Sequence, residues 1–131
     1  RWKDIKSWVS VHFVRHKIGI EHWVSTQRTD RTGVNRNEIP QSALVKHACE
    51  ADGQAMINIS RRRLCNCASK ETREAWIQVK NAIAEVDPVM ASKMVPECIY
   101  RGFCPEFMSP CGYSNTEKYQ NDLKIYRGCH L

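Results

Sequence analysis

Trp8-Val9-Ser10-Val11-His12-Phe13-Val14 is the stretch on which the fold turns. β-Branched and aromatic residues dominate it, and alternation puts Trp8, Ser10, His12 and Val14 on one face, so we read it as a strand. A helical reading competes, because Ile5, Trp8, Val9 and His12 also share a helical face. Downstream, Gln27 to Pro40 is polar and punctuated by Gly33 and Pro40, the composition of a mobile loop.

Beyond Pro40 the pattern turns helical. Leu44, Ala48, Ala51, Ala55 and Ile59 recur at steps of three and four, predicting one helix with a buried stripe that runs through Arg61-Arg62-Arg63 to Leu64. Ser69 is a plausible cap for a second helix, whose stripe is Trp76, Val79, Ile83 and Val86. Asp87-Pro88 ends that helix and starts a short third one, with Val89, Met90 and Met94 inward. From Pro96 onward, prolines, glycines and four cysteines predict a loop-rich segment. The expected class is α+β: a short β-sheet packed on long helices, with a core over residues 1–95 and a Cys-rich extension over 96–131.

The chain has 131 residues, 42% hydrophobic and 26% charged, which is one domain's worth and excludes wholesale disorder or a collagen-like composition. Its apolar runs fall far short of the ~20 residues a membrane helix needs. No leader is visible, although the chain starts at Arg1 without a methionine, as a processed or truncated fragment would. Twenty Lys+Arg against 14 Asp+Glu give a net charge of +6, which points to an anionic partner: nucleic acid, a nucleotide phosphate or a flavin phosphate. Seven cysteines cannot all pair internally, and without a secretory signal reduced thiols are expected.

Two strings carry the chemistry. Arg15-His16-Lys17, seven residues and then Ser25 suits an anion-binding turn at a strand end, where cations hold a phosphate and the hydroxyl donates to another. Alone, the triplet reads more readily as a solvated basic edge. Further on, Asn58-Ile59-Ser60-Arg61-Arg62-Arg63 sets Asn58 five residues before Arg63, and Ala68-Ser69-Lys70-Glu71-Thr72-Arg73 follows. In this order the strings resemble the flavin-dependent thymidylate synthase (ThyX) family, with its Arg-His-Arg, seven residues, Ser signature and its helical Asn and Arg five apart. The likeness spans about Trp8 to Val86.

The resemblance implies reductive methylation of dUMP to dTMP with FAD, and with NADPH and methylenetetrahydrofolate as co-substrates. It implies that Arg15, His16 and Lys17 contact FAD and that Asn58 faces the flavin from a neighbouring subunit. Ser25 and Arg28 would bind dUMP, and Arg63 would stabilise the negative charge that develops on the uracil ring. It also implies a homo-oligomer, a tetramer with active sites shared between subunits, in the cytoplasm of a bacterial, archaeal or virus-infected cell. The chain departs from the family pattern at Lys17 (for Arg), His12 (for Gln), Trp23 (for an acid) and Gln27 (for Arg, with Arg28 one step on). These departures motivate an alternative, a flavin- or nucleotide-binding protein of that fold with lost or altered pyrimidine-nucleotide chemistry.

Three consecutive arginines span about 200° of a helix, so Arg61, Arg62 and Arg63 cannot all face one site. Cys98, Cys104, Cys111 and Cys129, with His130, form a candidate structural zinc site in a tail without its own core, although no C-x-x-C knuckle is present. Disulfides and packed reduced thiols are the competing readings. Cys65 and Cys67 are too close for an ordinary disulfide and are expected to pack at a helix end. Among Tyr100, Phe103, Phe107, Tyr113, Tyr119 and Tyr126, core is the preferred reading and oligomer contact the other. A basic, zinc-stabilised nucleic-acid-binding protein is the remaining alternative, without a recognised motif to support it.

Overall fold

The computed structural model describes residues 1–25, 44–106 and 108–128. Their order is β1 (Trp2–Lys6), α1 (Ser7–Val14), β2 (Ile20–Val24), β3 (Leu44–Ala51), α2 (Gly53–Arg63), α3 (Lys70–Val86), α4 (Pro88–Ser92), α5 (Glu97–Arg101), a 3-10 turn (Tyr113–Asn115) and α6 (Glu117–Gly128). The class is α+β, as expected. Two compact units divide the chain, Arg1–Ala55 and Met56–Leu131. The composition change at residues 95–96 falls inside the second.

The first unit is a three-stranded antiparallel sheet in the order β1-β3-β2, with α1 packed on β1 and β3. Two expectations are corrected here. Trp8 to Val14 is helical, within α1, and its buried residues Val9, Ser10 and Phe13 follow helical spacing. Strand propensity yields because one helical face fits against the sheet, where Phe13 stacks on Trp2 with ring centroids 4.8 Å apart. The supposed helix from Leu44 to Ile59 is two elements. Residues 44–51 form the central strand, in which Val45 and His47 are buried and Leu44 and Lys46 exposed. The steps of three and four were ambiguous because Ala48 and Ala51 are small enough for either geometry; cross-strand pairing of Ile20 with Ala51 and Val24 with His47 decides it. Asp52 then starts α2, its carboxylate accepting from the Ala55 N–H at 2.8 Å.

Gly19 sits at φ +73° in the turn before β2, and a Cβ there would come within 2.7 Å of the Asp52 carboxylate. The Asp52 N–H also donates to the Gly19 carbonyl at 3.0 Å. A left-handed turn and a close approach both require glycine at that position.

In the second unit the predicted caps are present. The Ser69 hydroxyl accepts from Thr72 N–H at the start of α3, and the Asp87 carboxylate accepts from Met90 N–H at the start of α4, with Pro88 in its first turn. Trp76, 1% exposed, is held by its Nε1–H donating to Ser60 Oγ at 2.8 Å, while the Ser60 hydroxyl donates to the Met56 carbonyl. The segment after Pro96 is not simply loop. It contains α5 and the 12-residue α6, and Val95, Ile99, Tyr119 and Leu123 form a core with Cys98, Tyr113 and Tyr126 against it. Tyr119 therefore fits the core reading, whereas Tyr100 and Phe103 are exposed. Phe107, Arg28, Cys129, His130 and the Gln27–Pro40 loop lie outside the described residues.

Candidate functional site

The basic triplet lies at the C-terminus of α1 rather than at the end of a strand, and this changes its local physics. Arg15 is the C-cap residue, so the triplet's charge complements the negative end of the helix. The backbone here is pinned on both sides: His16 N–H donates to the Phe13 carbonyl at 3.0 Å, and His22 Nε2 donates to the His16 carbonyl at 2.7 Å. Arg15 and Lys17 are exposed and His16 half-buried. Lys17 borders a shallow hollow with Glu21, Glu50 and Asp52, a surface richer in carboxylates than in cations.

Ser25 stands just past β2, where its N–H donates to the Lys46 carbonyl at 2.8 Å and its Oγ accepts from the Lys46 N–H at 2.9 Å. That leaves the hydroxyl proton uncommitted by this pair, so the side chain can close the sheet and still donate to an anion.

A hydrogen-bonded chain runs inward from the triplet. Ser10 Oγ lies 2.8 Å from His47 Nδ1, and His47 Nε2 lies 3.0 Å from His22 Nδ1. Its polarity follows from the acceptor at its end. His22 carries a proton on Nε2 to reach the His16 carbonyl; with its Nδ1 bare it accepts there from His47 Nε2–H, and His47 Nδ1 then accepts from the Ser10 hydroxyl. Burial, then the nearby His22, lowers His47 to about 4. Sequence reading assigned no role to His47 or His22; only their pairing across β2 and β3 reveals the chain.

The second motif lies in the other unit. Asn58 and Arg63 both border one cavity of about 1100 Å³, together with Arg61, Arg62, Arg101 and Lys118. Two carboxylates, Glu97 and Glu106, share this lining, and three of the five cations are already paired, Arg61 and Arg101 with Glu97 and Lys118 with Asp122. The three arginines diverge as helix geometry demands. Arg61 makes a two-pronged bridge to Glu97, at 3.0 Å from Nε and 2.9 Å from Nη2, and lies 4.0 Å over the Tyr100 ring. Arg101 also binds Glu97. Burial works to raise the Glu97 carboxyl, but the hydrogen bonds from Arg61 and Arg101 overcome it and hold the group below its usual range. Arg61 is thus a structural ion-pair residue, Arg62 is exposed and Arg63 half-buried.

Five of the seven cysteines reach the same cavity: Cys65, Cys67, Cys98, Cys104 and Cys111. Cys49 is apart, on β3 in the first unit. Cys65 and Cys67 follow α2, as expected, with Cys67 N–H pointing to Cys65 Sγ at 3.4 Å and Cys67 Sγ to the Ser109 carbonyl at 3.7 Å. Burial pushes the Cys98 thiol up to about 11, reinforced by Cys65, Cys104 and Cys111. Among the described residues, no group of three or more His, Cys, Asp or Glu side chains is placed to hold a metal ion.

The Ala68-to-Arg73 string proves local in its contacts. Ser69 and Thr72 cap α3, and Arg73 donates to the Asn66 carbonyl at 3.3 Å. Among the described residues, no helix is long and apolar enough to cross a membrane. No protein-family model, curated protein or solved structure matches the chain.

Proposed function

We propose that the chain is a subunit of a flavin-dependent thymidylate synthase that converts dUMP to dTMP with methylenetetrahydrofolate and NADPH. The observation that carries the reading is the placement of Asn58 and Arg63, the two marked residues of the second motif, on one cavity, with Arg62 beside them. The Arg62 and Arg63 guanidiniums on this cavity suit a phosphate. The ordered strings Arg15-His16-Lys17, seven residues, Ser25 and then Asn58 to Arg63 support it further.

FAD, when bound, supplies the hydride. The chain's own residues would bind and orient: Arg15, His16 and Lys17 would contact the flavin, Asn58 of a neighbouring subunit would face it, and Ser25 and Arg28 would hold the dUMP phosphate. Arg63 would set a fixed cation where negative charge develops on the uracil, which lowers the barrier because the cation is in place before the charge appears. The product is expected to be made by a homo-oligomer.

Purified protein should show flavin absorbance and release tritium from 5-tritiated dUMP when given NADPH and methylenetetrahydrofolate. Arg63→Ala should lower turnover by about 100-fold or more, the scale of losing one charge-stabilising donor, while flavin absorbance persists. Loss of flavin with unchanged turnover per bound flavin would reverse that assignment. A second reading, nucleotide or flavin binding with lost or altered chemistry, draws on Lys17, which shares its hollow with Glu21, Glu50 and Asp52. Calorimetric dUMP binding without tritium release would select it.

A further inference from the structure

We propose that the open face of the three-stranded sheet docks a second copy of this chain, about a two-fold axis through the row formed by Ala48 and Trp23. The sheet has two unlike faces. Trp2, Ile5, Ile20, Val45 and His47 share the side against which α1 packs, and all five are buried. Alternation puts Leu44, Lys46, Ala48 and Glu50 of β3 on the opposite side. Cross-strand register adds Trp23, opposite Ala48, and Glu21, opposite Glu50. The solvent side of an antiparallel sheet ordinarily reads polar, yet Trp23 is 53% and Leu44 62% exposed there.

The order of charges identifies the occupant. Along β3 the face reads Lys46, Ala48, Glu50: positive, small and negative at equal steps. On the negative side Glu21 and Glu50 stand directly opposite each other, an arrangement that costs stability in an isolated sheet. Lys17 and Asp52 border the same hollow and offset one another, so that pair's negative charge remains. Lys3 and Asp4, in the irregular part of the β1 pairing across from Lys46, likewise offset one another. Turning a second copy over about an axis through Ala48 reverses its strand direction and sets each Lys46 over the other copy's Glu21 and Glu50. Both ends of the face are then satisfied at once, as a two-fold interface requires. The small Ala48 lets the two sheets approach, and the Trp23 rings cover the centre. A partner of one sign would complement one end and oppose the other.

The face is small. Three strands about 4.8 Å apart and about 20 Å long offer roughly 300 Å², against about 800 Å² per partner in a standard stable interface. The dimer therefore belongs to the weak, concentration-dependent class, and salt, which screens exposed charges, should loosen it. The thymidylate synthase reading requires a homo-oligomer but assigns it no surface, so either can fail without the other.

The test uses the full chain under reducing conditions. Sedimentation velocity from micromolar to near-millimolar concentration should show a monomer passing to a dimer, less so in high salt. Lys46→Glu makes the charges of the face wholly acidic, and Glu21→Lys/Glu50→Lys makes them wholly basic while keeping a like-charged pair across β2 and β3. Each should weaken self-association by at least about 10-fold, since like charges then meet at both ends. Mixed, the two variants should form a heterodimer at least as tight as the native homodimer. A zero-length carbodiimide, applied to an equal mixture of unlabelled and isotope-labelled native chains, should join Lys46 of one chain to Glu21 or Glu50 of another. A monomer throughout, or an oligomer cross-linked only through other surfaces, would overturn the proposal. Cross-links from Lys46 to Asp30 or Glu38 within one chain would also overturn it, by showing that the chain covers its own face. The cross-link map reads the native chain, so it decides even where a variant does not fold.

Discussion

His47 has 0% of its surface exposed and is enclosed by Trp2, Phe13 and His22, all within ring-to-ring distance. A proton on Nδ1 would abolish the acceptor that Ser10 uses, with no solvent to compensate. The folded chain therefore holds His47 at about 4 against an ordinary 6.5. Between those values the unfolded chain binds the extra proton and the folded chain does not, so stability is fully present above about pH 6.5. It falls as pH drops and has lost the whole contribution below about pH 4, where both states are protonated. At 1.36 kcal/mol per unit, that contribution is about 3 kcal/mol. Urea unfolding followed from pH 7 to pH 4.5 should show a falling midpoint in the native sequence and a distinctly flatter one in His47→Gln. An unchanged slope in that variant would mean the pH dependence comes from elsewhere. The residue itself was visible in the sequence, but its role was not, because Ser10, His22 and His47 meet only through packing and strand pairing.

Among the elements, those specified by neighbouring residues could be read directly from sequence, and those specified by distant partners could not. Ser69 and Asp87 cap their helices with their own side chains, using donors three residues away, so a local string contains the whole interaction. Ser69→Ala should cost about 1 kcal/mol, seen as a lower urea midpoint with unchanged denaturant slope. A loss near zero would show that the Thr72 hydroxyl, which also contacts Ser69, satisfies the helix end by itself. The α1 and β3 assignments depend on the opposite kind of information. Val9 and Phe13 become helical because a sheet face lies ready for them, and that sheet is completed by β3, some 30 residues later. Likewise Leu44 to Ala51 extends because β1 and β2 pair on either side of it, although its spacing of Ala residues is compatible with a helix. The missed local signal was Asp52-Gly53: an aspartate able to cap, next to a residue that starts a helix, marked the boundary inside what looked like one continuous stripe.

For the molecule as a whole, the two strings that define the proposed enzyme fall in different compact units, Arg15 to Ser25 in the first and Asn58 to Arg63 in the second. That the second string shares a cavity could not be read from its spacing, since Asn58 and Arg63 stand about 140° apart on an ideal helix. What the sequence did convey was charge: an excess of six positive charges, part of it concentrated around the Asn58 cavity. If the enzyme works as proposed, with the triplet of one subunit meeting Asn58 and Arg63 of another, two differently damaged chains should repair each other. Arg15→Ala/Lys17→Ala and Arg63→Ala would each be inactive as pure homo-oligomers. Unfolded together in equal amounts and refolded, they should regain about a quarter of native tritium release, the fraction of sites that by chance receive an intact triplet and an intact arginine from different chains. Activity that stays at the background of the separate variants, with mixed oligomers demonstrated by native mass spectrometry, would mean that one chain supplies both motifs to its own site.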